Sequence, residues 1–326
     1  MLFGGPKNRV MAPKCGLWMG CGQLLTFLVG LRQASCMRAL RVDDVFCGSA
    51  AVAAGVVTRG QLRGPLAKRL FRDIYVRSGT KLTHEVRCRG ATLALPDGAV
   101  ITGRSAATVR GVRLAWPEDD VNVLAPPEMR LGRRTGLEVR RSGIEPDDSE
   151  PWAYGRLAAP MRLTLDLLLG RALPDAVADL DAVMRAKLVD RGAVAAMVAG
   201  RSDNGIVDAR RVVELANPLA ESLPESKLRV VLELAGLHAV PQFWISDATG
   251  RLVRVDLAFP DLRVAIEYDG DWRDGDRWAL NRDRDRLNRV HAAGWYVLFV
   301  TAPMLRDERS LVRAVHHALR SHSAVL

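Results

Sequence analysis

Residues 252–270 read LVRVDLAFPDLRVAIEYDG, and the way this stretch turns back on itself decides the reading of the C-terminal third. Two runs, LVRVDLA and RVAIEYD, flank FPDL. Pro260 and Asp261 have turn chemistry there, because proline presets φ and aspartate bonds its own backbone. A hairpin closed between Pro260 and Arg263 puts Asp256 directly across from Glu267. Residues opposed in an antiparallel pair share a face, with Cβ atoms ~5 Å apart. Asp269 lies two positions beyond Glu267 and points to the same side. The other side collects Val253, Val255, Leu257, Val264, Ile266 and Tyr268 and is expected to be a core face.

Three like charges at that spacing repel one another unless something compensates. A divalent cation is one remedy, since Mg²⁺ is commonly held by one or two carboxylates plus substrate phosphates. The other is a set of surface ion pairs, with Arg254 or Arg263 serving Asp256 and Asp269. Both readings stay open on the residues alone.

The neighbouring segments fit a small α/β unit. ESKLRVVLELAGL, residues 225–237, predicts a helix with Leu228, Val231, Leu232 and Ala235 on one face and Glu225 in its first turn. VPQFWIS predicts a strand that reaches a turn at Asp247–Gly250. NRDRDRLNRVHAAG predicts a helix, and WYVLFVT a strand, with Trp295 in the core. His316 and His317 fall in an amphipathic tail helix and are expected to be solvated.

VDLAFPDLRVAIEYDG followed by NRDRDRLNRVHAAGWYVLFVT resembles the very-short-patch-repair-like branch of the PD-(D/E)XK nucleases, in particular a bacterial family with an E-x-D-G core. The resemblance implies a restriction-endonuclease-like αβββαβ domain over residues 222–326. It implies a metal site for Mg²⁺ or Mn²⁺ made by Asp256, Glu267 and Asp269, with Glu225 supporting from the preceding helix. Asp283 and Arg286 match a D-x-x-R of the following helix, where Arg286 would contact the scissile phosphate or anchor Asp283. Two departures bear on activity. Asp269 stands where the superfamily has lysine, and Asp271-Trp272-Arg273-Asp274 holds no histidine where this branch tends to carry one, so no imidazole is in place for proton transfer.

Further upstream the charge is uneven. The whole chain of 326 residues carries a net +10. Residues 37–115 hold fourteen Lys/Arg against five Asp/Glu, a surplus of nine, whereas residues 225–326 are close to neutral. A basic surface meets phosphates readily, and it is also a common solubility device. Residues 45–77 read as a short helix (Val45–Ala54), a break at Gly55, a second short helix capped by Thr58 over RGQLR, and a strand, RLFRDIYVR. That outline matches a winged helix-turn-helix and equally a small helical cap.

The middle region, 91–215, reads as strand pieces near Leu93, Val100-Ile101 and Val121–Leu124, a short helix at SAATVRG, then helices over 175–191 and at DARRVVELA. VVTRGQL, RLFRDIYV, LPDGAVITGRSAA and PMRLTLDLL resemble the AbiEi-type antitoxin or regulator proteins of actinobacteria. This implies a winged-helix-like DNA-binding region over 37–90, with Arg59, Arg63, Lys68, Arg69 and Arg72 as phosphate contacts. It also raises a homodimer and a toxin or defence partner as expectations. Asp166 recurs in that family too, and a capping or buried ion-pair role is expected for it.

The fold class expected is therefore α+β. Two functions follow: a DNA-binding protein with a metal-dependent endonuclease domain, or a non-enzymatic regulator that keeps a degenerate nuclease fold. The cysteines Cys15, Cys21, Cys36, Cys47 and Cys88 form no CxxC or Cys/His cluster, which argues against structural zinc and disulfides and for a reducing cytoplasm. Cys15–Leu31 is uncharged between Lys14 and Arg32. It is short and glycine-rich for a membrane span, and translation from Met37 is the expectation, with residues 1–36 outside the fold.

Overall fold

The computed structural model describes residues 45–323 apart from 133, 153, 248–249, 251 and 271–276, and gives the backbone alone for 252, 277–284 and 323. The expectations placed on residues 1–36, on Asp271–Asp274 and on the Asp283 side chain lie outside the described residues. The chain is mixed α+β, with three sheets among the described residues. It divides into two compact units: the chain up to Leu82 together with Arg89–Leu95, and Thr83–Cys88 together with the chain from Pro96 onward.

The first unit contains β1 (Val45–Cys47), α1 (Gly48–Ala53), α2 (Arg59–Arg63), β2 (Ala67–Phe71) and β3 (Ile74–Arg77), with strand order β1-β3-β2. The expected helix from Val45 starts as a strand instead. Val45 and Phe46 pair with Val76 and Tyr75, as β-branched and aromatic residues favour. The helix begins at Gly48, where an added Cβ would come within 2.5 Å of the Tyr75 ring. Thr58 caps α2 as expected, in a reciprocal box with Gln61.

RLFRDIYVR, expected as a single strand, is a hairpin. Asp73 takes the left-handed conformation (φ 62°) that reverses the chain. Its carboxylate accepts the Ser49 N–H at 2.9 Å and the Ser49 hydroxyl at 2.5 Å, fixing the turn to the start of α1. The alternation Leu70, Ile74, Val76 runs straight through this reversal and conceals it. Leu93, expected in a strand, lies in α3 (His84–Ala94).

In the second unit, α4 (Gly103–Val109) follows the short β4 (Val100–Ile101). With β5 (Val121–Ala125), β6 (Leu137–Arg141), β7 (Ser149–Trp152) and β8 (Gly155–Ala158), β4 forms a sheet ordered β6-β5-β4-β8-β7. Helices α5 (Pro160–Leu168), α6 (Leu173–Arg185), α7 (Arg191–Ala199) and α8 (Ile206–Leu215) follow. The helix expected over 175–191 stops at Arg185, and Lys187 adopts φ 58° just beyond it. Asp166 is buried in an ion-pair network: it accepts the Thr102 hydroxyl at 2.6 Å and faces Arg162 and Arg140, each at 3.3 Å.

The C-terminal part runs α9 (Leu223–Leu234), β9 (Val240–Ser246), β10 (Leu252–Phe259), β11 (Val264–Asp269), α10 (Arg277–Ala292) and β12 (Tyr296–Thr301), ending in α11 (Ala302–Arg306) and α12 (Glu308–Ser323). Its sheet is ordered β12-β11-β10-β9, antiparallel except for the β11–β12 pair, which is parallel. The α10 connection between them supplies the crossover that parallel strands require. Both faces of this sheet are covered. Leu257, Val264, Ile266 and Val300 pack with Leu228 and Leu232 of α9 and Leu311 and Val315 of α12. Val253, Val255, Ala258, Ala265 and Val297 pack with Leu287 and Val290 of α10. Trp295 joins the latter group beside Phe243, with ring centres 5.5 Å apart, and His316 and His317 are exposed. Among the described residues no helix is long and apolar enough to cross a membrane.

Candidate active site

The β10–β11 register is Leu257↔Ile266, Ala258↔Ala265 and Phe259↔Val264, so Asp256 and Glu267 are next in line across the hairpin. Pro260 and Arg263 close the turn through an N–H to carbonyl bond of 3.1 Å. This is the pairing that the turn residues predict. Beyond Leu257 the ladder changes: the Tyr268 N–H is taken by the Asp256 carboxylate at 2.8 Å.

The single apolar face expected for the hairpin is not found. Val253 and Val255 pack toward α10, whereas Leu257 packs toward α9 and α12. The strand changes face at Asp256, where the β9–β10 pairing passes from Val255↔Phe243 to Leu257↔Pro241. The residue between those partners, Gln242, adopts φ 51°. A left-handed residue in a strand bends and twists it locally, and here the twist turns Asp256 in toward Glu225 and Glu267.

The carboxylates are held in different ways. Glu267 is only 9% exposed. Arg286 of α10 grips it with Nη1 on Oε1 at 2.8 Å and Nη2 on Oε2 at 3.3 Å, and the same Nη1 also donates to the Arg254 carbonyl at 3.2 Å. Arg286 therefore engages Glu267, a partner neither sequence expectation named. Glu225 sits in the first turn of α9, where Ser222 is the N-cap. Its Oε1 accepts the Ser222 hydroxyl at 2.6 Å, and its Oε2 accepts the Glu221 N–H at 2.8 Å and the Gln242 amide at 3.0 Å. Capping thus fixes the side chain that the resemblance assigns to support. Asp256 is half-buried, and its pKa is pushed up to about 7, first by burial and then by the charges of Glu225 and Glu267. Arg254, the ion-pair partner open to Asp256 on the sequence, instead bridges Glu221 at 2.8 Å and lies over Trp244.

Glu225, Glu267, Asp269 and Arg286 all line one cleft of about 750 Å³, and Asp256 is close enough to feel the charges of Glu225 and Glu267. The cleft is also lined by residues of the middle region, among them Arg104, Arg113, Trp116, Arg171 and Asp179. No sequence reading placed these residues at the site. Asp179 and Asp181 did carry a signal, because both stand within the apolar stripe of α6, where charges are costly unless paired.

Carboxylates are the donor type that a hard divalent cation takes. Among the described residues no group of three or more acidic, histidine or cysteine side chains is placed to hold a metal ion. Arg286 and the α9 cap occupy the oxygens of Glu267 and Glu225.

The five basic residues expected to meet phosphates, Arg59, Arg63, Lys68, Arg69 and Arg72, are all exposed on the first unit. Arg59 and Arg63 project from α2, Lys68 and Arg69 from β2, and Arg72 from the turn after it. Arg69 also bonds the Phe71 carbonyl at 3.1 Å.

No protein-family model matches the chain. An uncharacterised protein of Mycobacterium tuberculosis, in strains CDC 1551 / Oshkosh and ATCC 25618 / H37Rv, is 34% identical over 176 residues, which is 52% of this chain and 65% of the relative. The match thus covers just under two thirds of those relatives' length. The crystal structure of the RV2827C protein from Mycobacterium tuberculosis superposes with a TM-score of 0.36 at 16% identity, covering 60% of this chain and 76% of that one.

Proposed function

We propose that the chain is a DNA-binding protein whose C-terminal region is a restriction-endonuclease-like, PD-(D/E)XK-type module acting on DNA phosphodiesters with Mg²⁺ or Mn²⁺. The observation that carries this reading is the grouping of Asp256 with Glu225 and Glu267 beside one cleft, where burial first, and then the charges of Glu225 and Glu267, lift Asp256 to about 7. A fold gains nothing from such repulsion, and sites of this kind cluster where chemistry is done.

Asp256, Glu267 and Asp269 would hold the cation, which when bound activates water and offsets charge on a phosphate. Glu225 keeps its place through the α9 cap and orients Gln242 beside Asp256. Arg286 lines the same cleft and carries a planar fork suited to paired phosphate oxygens. The first unit, read as a winged-helix-like region, would grip the DNA backbone through Arg59, Arg63, Lys68, Arg69 and Arg72. In the resemblance the module can join an antitoxin-type regulator, with a toxin or defence partner, a cytoplasmic setting and self-association as corollaries.

One observation favours the rival, a non-enzymatic regulator with a degenerate nuclease fold: the two-point grip of Arg286 neutralises Glu267 without any metal. Calorimetric titration with Mn²⁺ and Mg²⁺, combined with cleavage of single-stranded, duplex and branched DNA, separates the two. Divalent binding lost in Asp256→Asn and Glu267→Gln, with metal-dependent cleavage by the wild type, supports the nuclease. Absence of divalent binding at millimolar metal removes it and leaves the regulator.

A further inference from the structure

The part of the cleft wall that comes from the middle region is closely organised for a surface that has no assigned role. Asp179 of α6 is buried, with its side chain 2% exposed, and holds Arg104 Nε at 3.4 Å and Arg171 Nε at 3.2 Å, one on each carboxylate oxygen. A single buried acid thus sets two guanidinium groups side by side at the rim of the cleft. Trp116 is fixed from both ends of its own backbone. Its N–H donates to Asp119 at 2.8 Å, and its carbonyl accepts His84 Nδ1 at 2.8 Å. His84 is buried against Ser105, 2.7 Å from its Nε2, and burial lowers its pKa, which keeps the ring neutral and Nδ1 the donor. The Arg113 guanidinium lies over the Trp116 ring, 5.4 Å from its centre. An aromatic face with an arginine on it, next to two more arginines, is the combination that binds bases by stacking and backbones by charge.

We propose that this wall takes a single nucleic-acid strand, with a base lodged at Trp116 and Arg113 and a phosphate at Arg104 and Arg171, so that the backbone passes in front of Glu267 and Asp269. The cleft has room for an unstacked nucleotide. At about 750 Å³ it falls within the range of pockets that enclose small molecules, roughly 300–1,000 Å³. Arginines and carboxylates line the same cleft, so a phosphodiester there would find a basic seat and, on the nuclease reading, a metal-binding partner. The proposal rests on the nuclease reading only for what then happens to the strand. Binding at the arginine–tryptophan wall does not require the cation.

The test is fluorescence anisotropy with the full chain in EDTA, using a labelled short oligothymidylate and a duplex of equal length. The single strand should bind, and Trp116→Ala and Arg113→Ala should each weaken it by roughly tenfold or more. Trp116→Phe should restore most of the affinity, a result that a purely structural role for the residue would not give. Arg113 is exposed, so its variant reports on the wall even if Trp116→Ala disturbs folding. Unchanged single-strand affinity in Arg113→Ala, or equal competition by duplex for the same residues, overturns the proposal. The nuclease reading fails by a different result: no divalent binding, with Trp116-dependent strand binding intact.

Discussion

Arg286 closes on Glu267 with two parallel hydrogen bonds, 2.8 and 3.3 Å long, across the gap between α10 and β11. On the proposed nuclease reading this pair would set the state of the metal site, because a guanidinium and a divalent cation would compete for the same two oxygens. Arg286→Gln should therefore raise divalent affinity while Glu267→Gln abolishes it. The arginine variant also leaves Glu267 buried with a weaker partner, and breaking one side of a buried pair costs roughly 3–5 kcal/mol. Its melting temperature should fall in EDTA and recover with Mn²⁺. Weaker Mn²⁺ binding by Arg286→Gln in calorimetry would mean that the arginine shapes the site rather than competes for it.

Asp256 gives the site a pH signature. Its folded pKa lies near 7, above the ordinary 3.8, so protonation favours the folded state. The associated stability is complete below about pH 4 and is lost as pH rises toward and through 7. The shift corresponds to a penalty on the order of 2–4 kcal/mol at pH 8. Asp256→Asn should remove that slope and melt higher than wild type at pH 8, with little difference at pH 4. Mg²⁺ should flatten the wild-type slope in the same way. Parallel melting profiles for the two proteins between pH 4 and 8 would contradict the crowding on which the site rests.

How much of this was legible in the sequence follows from distance along the chain. The Pro260–Arg263 turn is local, and it fixed the register that aligns Asp256 with Glu267. The Thr58 cap and the α9 helix are local as well. The strand's change of face at Asp256 was hidden, because it depends on a left-handed Gln242 that no turn residue announces. The reversal at Asp73 was hidden for a related reason: the alternation of apolar residues continued across it. The cleft joins Arg104, Trp116 and Asp179 to residues from 225 to 286, and such long-range meetings leave no trace in periodicity. Two aspartates in the apolar stripe of α6 were the available hint.

Duplex affinity should reside in the first unit. Arg59, Arg63, Lys68, Arg69 and Arg72 are exposed there, in the part of the chain with the charge surplus. Backbone contacts of this kind carry no sequence information. Replacing Arg69 and Arg72 together by Ala should weaken duplex binding to a similar extent for all sequences. It should also flatten the plot of log affinity against log salt by up to about two units, since each phosphate contact contributes a slope of roughly −0.9. An unchanged salt slope in the double variant would remove these residues from the interface.

The junction between α6 and α9 supplies the last prediction. Asp181 on α6 has a side chain with 0% exposure. It accepts the Ser226 hydroxyl at 2.8 Å, Arg229 Nη2 at 3.0 Å and the Asn217 N–H at 2.6 Å. Ser226 and Arg229 belong to α9, the helix that also carries Glu225 toward the site. Burial raises the pKa of Asp181, and the Arg229 charge works against that rise, so the pair is mutually dependent. Removing the carboxylate in Asp181→Ala strands Arg229 in the interior and should cost roughly 3–5 kcal/mol, read as a shift of the urea midpoint. A charge-free replacement of both partners, Asp181→Leu with Arg229→Met, should recover much of the loss, because the expense lies in the unpaired ion rather than in the absent bond. By the same reasoning a fragment that starts at residue 222 exposes Ser226, Arg229 and the face of α9 that α6 covers, and should fold less stably than the full chain. Equal stability of that fragment, measured by hydrogen exchange in β10 and β11, would show that the C-terminal sheet and its carboxylates need no support from α6.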